Sequence, residues 1–427
     1  MSADDKFNAI IVGAGPAGAA CAYVLAREGK SVLLVERGIT AGSKNVTGGR
    51  LYIYALELVE PGLYLKAPLQ RKIVREQVMM LGENSAVTVD YTDYAFGTEV
   101  PQSYTVLRAP FDEWLVGEAE AQGAMVATGI LVDDVLERDG KFVGIRAGED
   151  EMYADVVIAA DGVNSLIAQK AGLRADIAAR TVGVGVKEII ELPDDAIEAR
   201  FNLRGDEGAA RVALGCTEGI SGGAFLYTNK GSVSLGIVFN PEQAARNGRR
   251  IQEILQDLKL HPAILPLIEG GTTVEYGAHL VPELGLSGVP ARLFKDGLVM
   301  VGDAAGFGIN TGTIIRGIDL AIVSGLAAAR AVLAAGTPAQ VGQLYMQELE
   351  RLLLLPTMRV FAGWHRIMEI TRLFKEYPDM ANEVMRFMFT VDGKVPDKMT
   401  KAVPAIMKRH VSIGQVIADG WKGFRAI

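Results

Sequence analysis

Cysteine is nearly absent from this 427-residue chain, which has only Cys21 and Cys216. Two thiols so far apart build no disulfide framework, no CxxC redox pair and no cysteine-ligated iron-sulfur cluster from this chain alone. Cys21 stands among alanines and is expected in a core, and Cys216 is given no role. Histidine is as sparse: His261, His279, His365 and His410 are dispersed without metal-ligand spacing, which argues against a bound metal. Long uncharged apolar runs are missing too. The stretch from Gly317 to Gly336 carries Asp319 and Arg330 and therefore reads as a core helix, since a membrane span needs about 20 residues nearly free of charge. Met1 to Lys6 is polar and has no signal-peptide core, so a cytoplasmic protein is expected. A net charge of -8 argues against nucleic-acid partners.

The chain has room for roughly two to four domains. Its charge is unevenly placed. From Thr390 to Ile427 seven basic residues (Lys394, Lys398, Lys401, Lys408, Arg409, Lys422, Arg425) face three acids (Asp392, Asp397, Asp419), a net of +4. Met399, Met407, Trp421 and Phe424 are interleaved with them. Such a segment suits an anionic membrane surface or an acidic redox partner, and it is equally compatible with an ordinary solvated helical face.

The most informative segment is Gly13-Ala14-Gly15-Pro16-Ala17-Gly18, which follows the apolar run Ala9 to Val12 and opens a small-residue helix. The first glycine permits a tight turn, the second lets the backbone approach a pyrophosphate, and the third lets helix and strand touch. The phosphates then meet free amides and the positive end of the helix dipole. A second apolar run, Val32 to Val35, ends in Glu36, placed to accept hydrogen bonds from an adenosine ribose, with Arg37 beside it.

Two further strands end in an acid and a glycine. Val156 to Ala160 leads into Asp161-Gly162, and Gly297 to Val301 leads into Gly302-Asp303, followed by Asn310-Thr311-Gly312. A nicotinamide-only domain does not need the second return, whereas an extended flavin dinucleotide does. These segments resemble the DG and GD motifs of flavin hydroxylases and their reductase relatives, and Arg108 with its following helix resembles the arginine of those families. The resemblance implies that Asp303 binds the ribityl hydroxyls. A helix beginning near Gly312 would aim its positive end at the flavin pyrimidine. Gly123 to Val126 and Gly129 to Val132 read as strands crossing over the nucleotide domain, with Val132 at the cofactor. Bound FAD is the cofactor expected.

The motifs occupy 1–80, 105–175 and 275–335, a discontinuous FAD-binding domain. Residues 81–104 and 176–274 would then be the substrate side, a mostly antiparallel sheet with strands at Thr181 to Val186, Gly222 to Tyr227 and Ser232 to Phe239, and with helices including Arg250 to Leu260. Residues 336–427 form a helical C-terminal region. The expected class is α/β, a Rossmann-like FAD domain of glutathione-reductase or hydroxylase type with an inserted antiparallel-sheet domain.

At Gly42 to Tyr52, with Lys44, Asn45 and Gly48-Gly49 inside it, the pattern becomes narrower. It resembles FixC-type flavoproteins, the cluster-lacking relatives of electron-transfer-flavoprotein:quinone oxidoreductase. Val184 to Glu188, Gly222 to Asn229, Phe389 to Gly393 and Gly420 to Gly423 extend the likeness nearly end to end. The resemblance implies electron flow from a heterodimeric electron-transfer flavoprotein through FAD to quinone, helped by a separate ferredoxin-like iron-sulfur protein; the sequence leaves open whether such a complex also carries out electron bifurcation. The basic C-terminal segment, if it rests on an anionic membrane, would place the otherwise cytoplasmic protein at the inner face of the cell membrane. Lys44, Asn45 and Gly49 would lie near the flavin ring. Gly48, Gly222, Gly223, Phe225 and Tyr227 are the candidate quinone wall, and no acid/base catalytic residue is assigned. Geranylgeranyl reductases share the flavin motifs and are the main rival. Aromatic hydroxylases rank below them. A reading of another class makes the protein a non-autonomous conduit subunit.

Overall fold

The structure, a computed structural model, describes residues 6–43, 49–313 and 315–427. Its first sheet is built on short apolar strands. Phe7–Val12 lies between Asp150–Ala159 and Val32–Val35, with Leu298–Met300 and Met125–Ala127 outside them, all parallel. Val32–Val35 is buried along its whole length, as a parallel strand covered on both faces must be. Pro16–Arg27 and Ile318–Ala334 pack on this sheet, and Cys21 lies in that core, its thiol pushed up by burial. Among the described residues no helix is long and apolar enough to cross a membrane.

The second sheet has nine strands in the order Thr272–Pro282, Val182–Glu191, Ser232–Phe239, Gly222–Thr228, Glu207–Leu214, Lys72–Leu81, Ser103–Thr105 and Arg50–Tyr52, with Ala86–Thr92 paired to Lys72–Leu81. Every pairing is antiparallel except that of Glu207–Leu214 with Lys72–Leu81. Alternation sorts its two faces. Val186, Leu226, Leu235 and Ile237 face a core shared with Asp194–Phe201 and Ile251–Leu260. Phe225, Tyr227, Val238, His279 and Val281 face the nucleotide-binding sheet. Arg50–Tyr52 and Lys72–Leu81 fall inside the first expected cofactor segment, yet they hydrogen-bond in this second sheet, because their partners Thr105 and Glu207 come from elsewhere in the chain.

Arg71 staples this sheet. It is 1% exposed, and its guanidinium donates to the carbonyls of Asn229 (2.9 Å), Gly205 (2.6 Å) and Glu207 (3.2 Å) and to Asp194 Oδ1 (2.5 Å). Arg71→Met would strand the buried Asn229 carbonyl and remove the other three bonds, at a cost of about 1–3 kcal/mol. The expected result is faster amide exchange in Lys72–Leu81 and Glu207–Leu214; unchanged exchange would refute the staple.

Two local expectations are corrected. Gly129 to Val132 is not a strand, because the backbone amides of Gly129 and Ile130 are taken by the carbonyls of Gly38 and Glu36 rather than by a ladder. The long helix starts at Ile318 rather than near Gly312, because Ile309–Asn310 and Ile315–Arg316 first pair as a short hairpin.

The C-terminal region is helical, with Glu376–Phe389, Met399–His410 and Ile413–Ala426. The last of these is turned inside out. Its buried face carries Asp419, which accepts two bonds from Arg372 (2.6 Å each) and one from the Tyr377 hydroxyl (2.7 Å). Its apolar stripe, Ile413, Ile417, Trp421 and Phe424, faces solvent, at intervals of three and four residues.

Candidate cofactor-binding site

A cleft of about 400 Å³ runs between the two sheets, within the range of small-molecule sites. One end is made by the glycine-rich turn. Gly18 lies where strand and helix meet, and a Cβ there would sit 2.0 Å from the Gly13 carbonyl oxygen. Gly15, the N-cap of Pro16–Arg27, instead has nothing within 4 Å of its Cβ position, so the helix amides behind it open onto free space. Glu36 closes this end. Its carboxylate accepts from Ala14 N (3.0 Å) and Gly38 N (2.5 Å), pinning the turn while leaving lone pairs for a ribose hydroxyl.

Asp161 and Asp303 line the middle. Asp161 Oδ2 accepts from Ile167 N (2.9 Å), while Oδ1 is buried with no hydrogen-bond partner. Burial pushes its carboxyl up to about 6. Asp303 is also raised by burial, against the opposing pull of Arg108 and Arg174. Arg108 grips Asp112 through two bonds (2.9 and 2.7 Å), which fixes its guanidinium at the cleft wall. Arg174 donates to the carbonyls of Asp303 and Ala304, tying the GD turn to the helix after Asp161. His279 is held toward its neutral form by burial and by Arg108 and Arg37.

These features fit a flavin dinucleotide. The space over Gly15, the amides at a helix start and an orphaned buried carboxylate oxygen are what phosphates and sugar hydroxyls would complete. The orphan also gives a test. The Asp161 carboxyl goes from an ordinary 3.8 to about 6 on folding, so between those values the folded chain keeps a proton that the unfolded chain has lost. Stability therefore falls as pH rises through that window, by on the order of 3 kcal/mol for the isolated group, and stays lower above it. Asp161→Asn apoprotein is expected to melt higher than wild type at pH 7, with the difference vanishing near pH 4. A constant difference would reject the assignment.

Of the anticipated cofactor residues, Gly13, Gly15, Pro16, Ala17, Glu36, Arg37, Gly49, Arg108, Val132, Asp161, Gly162, Gly302 and Asp303 line the cleft. Gly18 supports it from behind. Asn310, Thr311 and Gly312 do not line it: Asn310 Oδ1 accepts from Gly312 N within the hairpin, and Ile315, Arg316, Gly317 and Ile318 stand at the wall instead. Lys44, Asn45 and Gly48 lie outside the described residues. On the substrate side Phe225 and Tyr227 are at the wall, with ring centroids 5.5 Å apart, and the Tyr227 ring lies where a Gly49 side chain would be. Gly222 and Gly223 are not at the wall. Their Cβ positions meet the carbonyls of Val238 and Ala213, so these glycines serve close strand approach within the sheet. Sequence alone points to no site role for Arg316 or His279, which line the cleft together with Arg50. An arginine just before a long small-residue helix was a usable signal for Arg316; His279 offered none.

Comparison with known proteins adds two family matches. Residues 6–200 match the FAD binding domain family and 364–427 match the ETF-QO/FixC family C-terminal domain. The chain is 46% identical over 424 residues to Protein FixC of Salmonella typhi, covering 98% of this chain and 99% of that protein. It is 44% identical to the probable electron transfer flavoprotein-quinone oxidoreductase YdiS of Escherichia coli K12, covering 99% of this chain and all of that one. A geranylgeranyl bacteriochlorophyll reductase-like protein from Thermoplasma acidophilum has a TM-score of 0.69 at 20% identity, covering 95% and 98% of the two chains, which shows the fold alone.

Proposed function

The chain belongs to the ETF-QO/FixC family of FAD-dependent oxidoreductases, and from that premise we propose that it relays electrons from a heterodimeric electron-transfer flavoprotein to a quinone. FAD supplies reversible uptake of two electrons; the protein binds it, limits water and shapes the approach of the acceptor. The observation that carries the reading is the far end of the cleft. Beyond the nucleotide motifs its lining includes the aromatic and apolar side chains of Phe225, Tyr227, Val238 and Ile315 beside Arg50 and Arg316. A quinone there would take two electrons from the reduced cofactor and two protons from solvent, leaving as quinol.

A ferredoxin-like iron-sulfur protein would accept or pass electrons that the two cysteines of this chain cannot. Attachment to the inner face of the cell membrane, where a long-chain quinone resides, is supported by the outward apolar stripe of Ile413–Ala426 and the basic residues around it. Electron bifurcation belongs to the same picture.

The test is anaerobic stopped-flow reoxidation of pre-reduced protein by a short-chain quinone, with a geranylgeranyl lipid in parallel. Fast saturable oxidation by quinone supports the relay. Oxidation by the lipid with loss of a double bond makes the protein a prenyl reductase. Reaction only after addition of the flavoprotein partner makes it a non-autonomous conduit. Tyr227→Leu, losing an aromatic contact worth about 1.4 kcal/mol, is expected to raise the half-saturating quinone concentration about tenfold with FAD retained. An unchanged value would remove Tyr227 from the quinone wall.

A further inference from the structure

The cleft end beyond the nucleotide motifs carries two arginines that the relay as proposed does not use. Arg50 and Arg316 both line it, and their guanidinium carbons lie over the Tyr52 ring at 4.7 and 5.4 Å. Each is anchored from behind. Arg50 pairs with Glu76 (2.5 Å) and donates to Ser103 Oγ (3.0 Å). Arg316 pairs with Asp319 (2.5 Å) and donates to the Tyr54 hydroxyl (2.9 Å), which itself bonds Asp319 (2.9 Å). Neither Glu76 nor Asp319 reaches the cleft. Both ion pairs are thus dipoles with the cation facing the ligand and the carboxylate behind it. The start of Ile318–Ala334 adds its own positive end at the same place, through Gly317 and Ile318. Tyr52 cannot offset this charge, because burial holds its phenol above the usual range and therefore neutral.

The polarity of the cleft says what this charge faces. The phosphates belong at Gly13–Gly18 and the adenosine ribose at Glu36, so the rest of the dinucleotide runs toward Arg50 and Arg316. We infer that Arg50 and Arg316 hold the negative charge that bound FAD gains when it takes up two electrons and one proton. Groups fixed before reduction need no reorganisation when charge appears, and in a site shielded by protein they act more strongly than in water. The inference rests on FAD binding and not on the identity of the acceptor, so loss of the quinone reading leaves it standing.

The experiment is dye-equilibrated redox titration of the FAD-loaded full chain, wild type against Arg316→Gln, Arg316→Lys and Glu76→Gln, with cofactor content checked by absorbance. Arg316→Gln is expected to shift the oxidised-to-reduced equilibrium about tenfold toward the oxidised form, about 30 mV for a two-electron couple. Arg316→Lys, which keeps the charge, is expected to stay within about threefold of wild type. Glu76→Gln frees Arg50 from its counter-charge and is expected to shift the equilibrium in the opposite direction, toward the reduced form. A role confined to holding the fold would not give opposite signs. If Arg316→Gln fails to keep FAD, the sign of the Glu76→Gln shift decides the matter. Shifts of one sign in all variants, or none with FAD retained, would overturn the inference.

Discussion

Gly18→Val is expected to give a protein that holds no FAD at micromolar cofactor. The new side chain begins 2.0 Å from the Gly13 carbonyl oxygen and 3.2 Å from Ile11 Cγ2, so the start of Pro16–Arg27 must move off the strand. That movement takes the helix amides away from the phosphates. Charged hydrogen bonds of this kind are each worth about 1.5–3 kcal/mol, and losing two costs at least about a hundredfold in affinity. Gly15→Ala is the informative contrast. Its methyl meets no protein atom within 4 Å, so the fold should stand and only the phosphate space is narrowed. The two variants are compared by flavin absorbance per protein and by cofactor titration of the apoprotein. Full FAD in Gly18→Val, or unchanged affinity in Gly15→Ala, would show that the phosphates bind elsewhere.

The second large effect is expected at the opposite end of the chain. Ile417→Asp with Trp421→Asp should reduce binding to vesicles containing anionic lipid by about a hundredfold, since each side chain contributes roughly 1.5–3 kcal/mol when buried. The folded state should be untouched, because Ile417 and Trp421 are exposed while Asp419, on the other face, holds the helix through Arg372 and Tyr377. The basic flank adds a salt-dependent part, so wild-type binding should weaken as ionic strength rises. Arg425 lies over the Trp421 ring, which keeps one cation at the rim of the stripe. Vesicle co-sedimentation decides it. Equal sedimentation of both proteins, or none of the wild type, would assign the stripe to a protein partner instead.

Much of the fold was legible because its signals are local. A glycine turn between an apolar strand and a small-residue helix works through contacts a few residues apart, and Glu36 follows at the end of the next strand; the structure brings these residues to one end of the cleft. The strands at Asp161 and Gly302 were readable for the same reason. The substrate side was less so. Gly222 and Gly223 look in sequence like a place for a flat ligand, but their role depends on Val238 and Ala213 in neighbouring strands, and no local pattern reports which strand lies beside which. Asn310 to Gly312 misled in a related way, since a hairpin with strands of two residues postpones the helix to Ile318 and gives the wall to Arg316 and Gly317.

The sequence by itself determined the nucleotide-binding βαβ unit, the identity of the cofactor and the scarcity of sulfur ligands, because each rests on residue type and short spacing. Tertiary structure alone decided which face of the terminal helix is buried, since its interleaved basic and apolar residues do not say which side packs, whereas Arg372 and Tyr377, some forty residues upstream, turn Asp419 inward. It alone also brought Arg316 to the Tyr52 ring that Arg50 covers. Charges from distant parts of a chain act together only where strands that are remote in sequence close on one cleft.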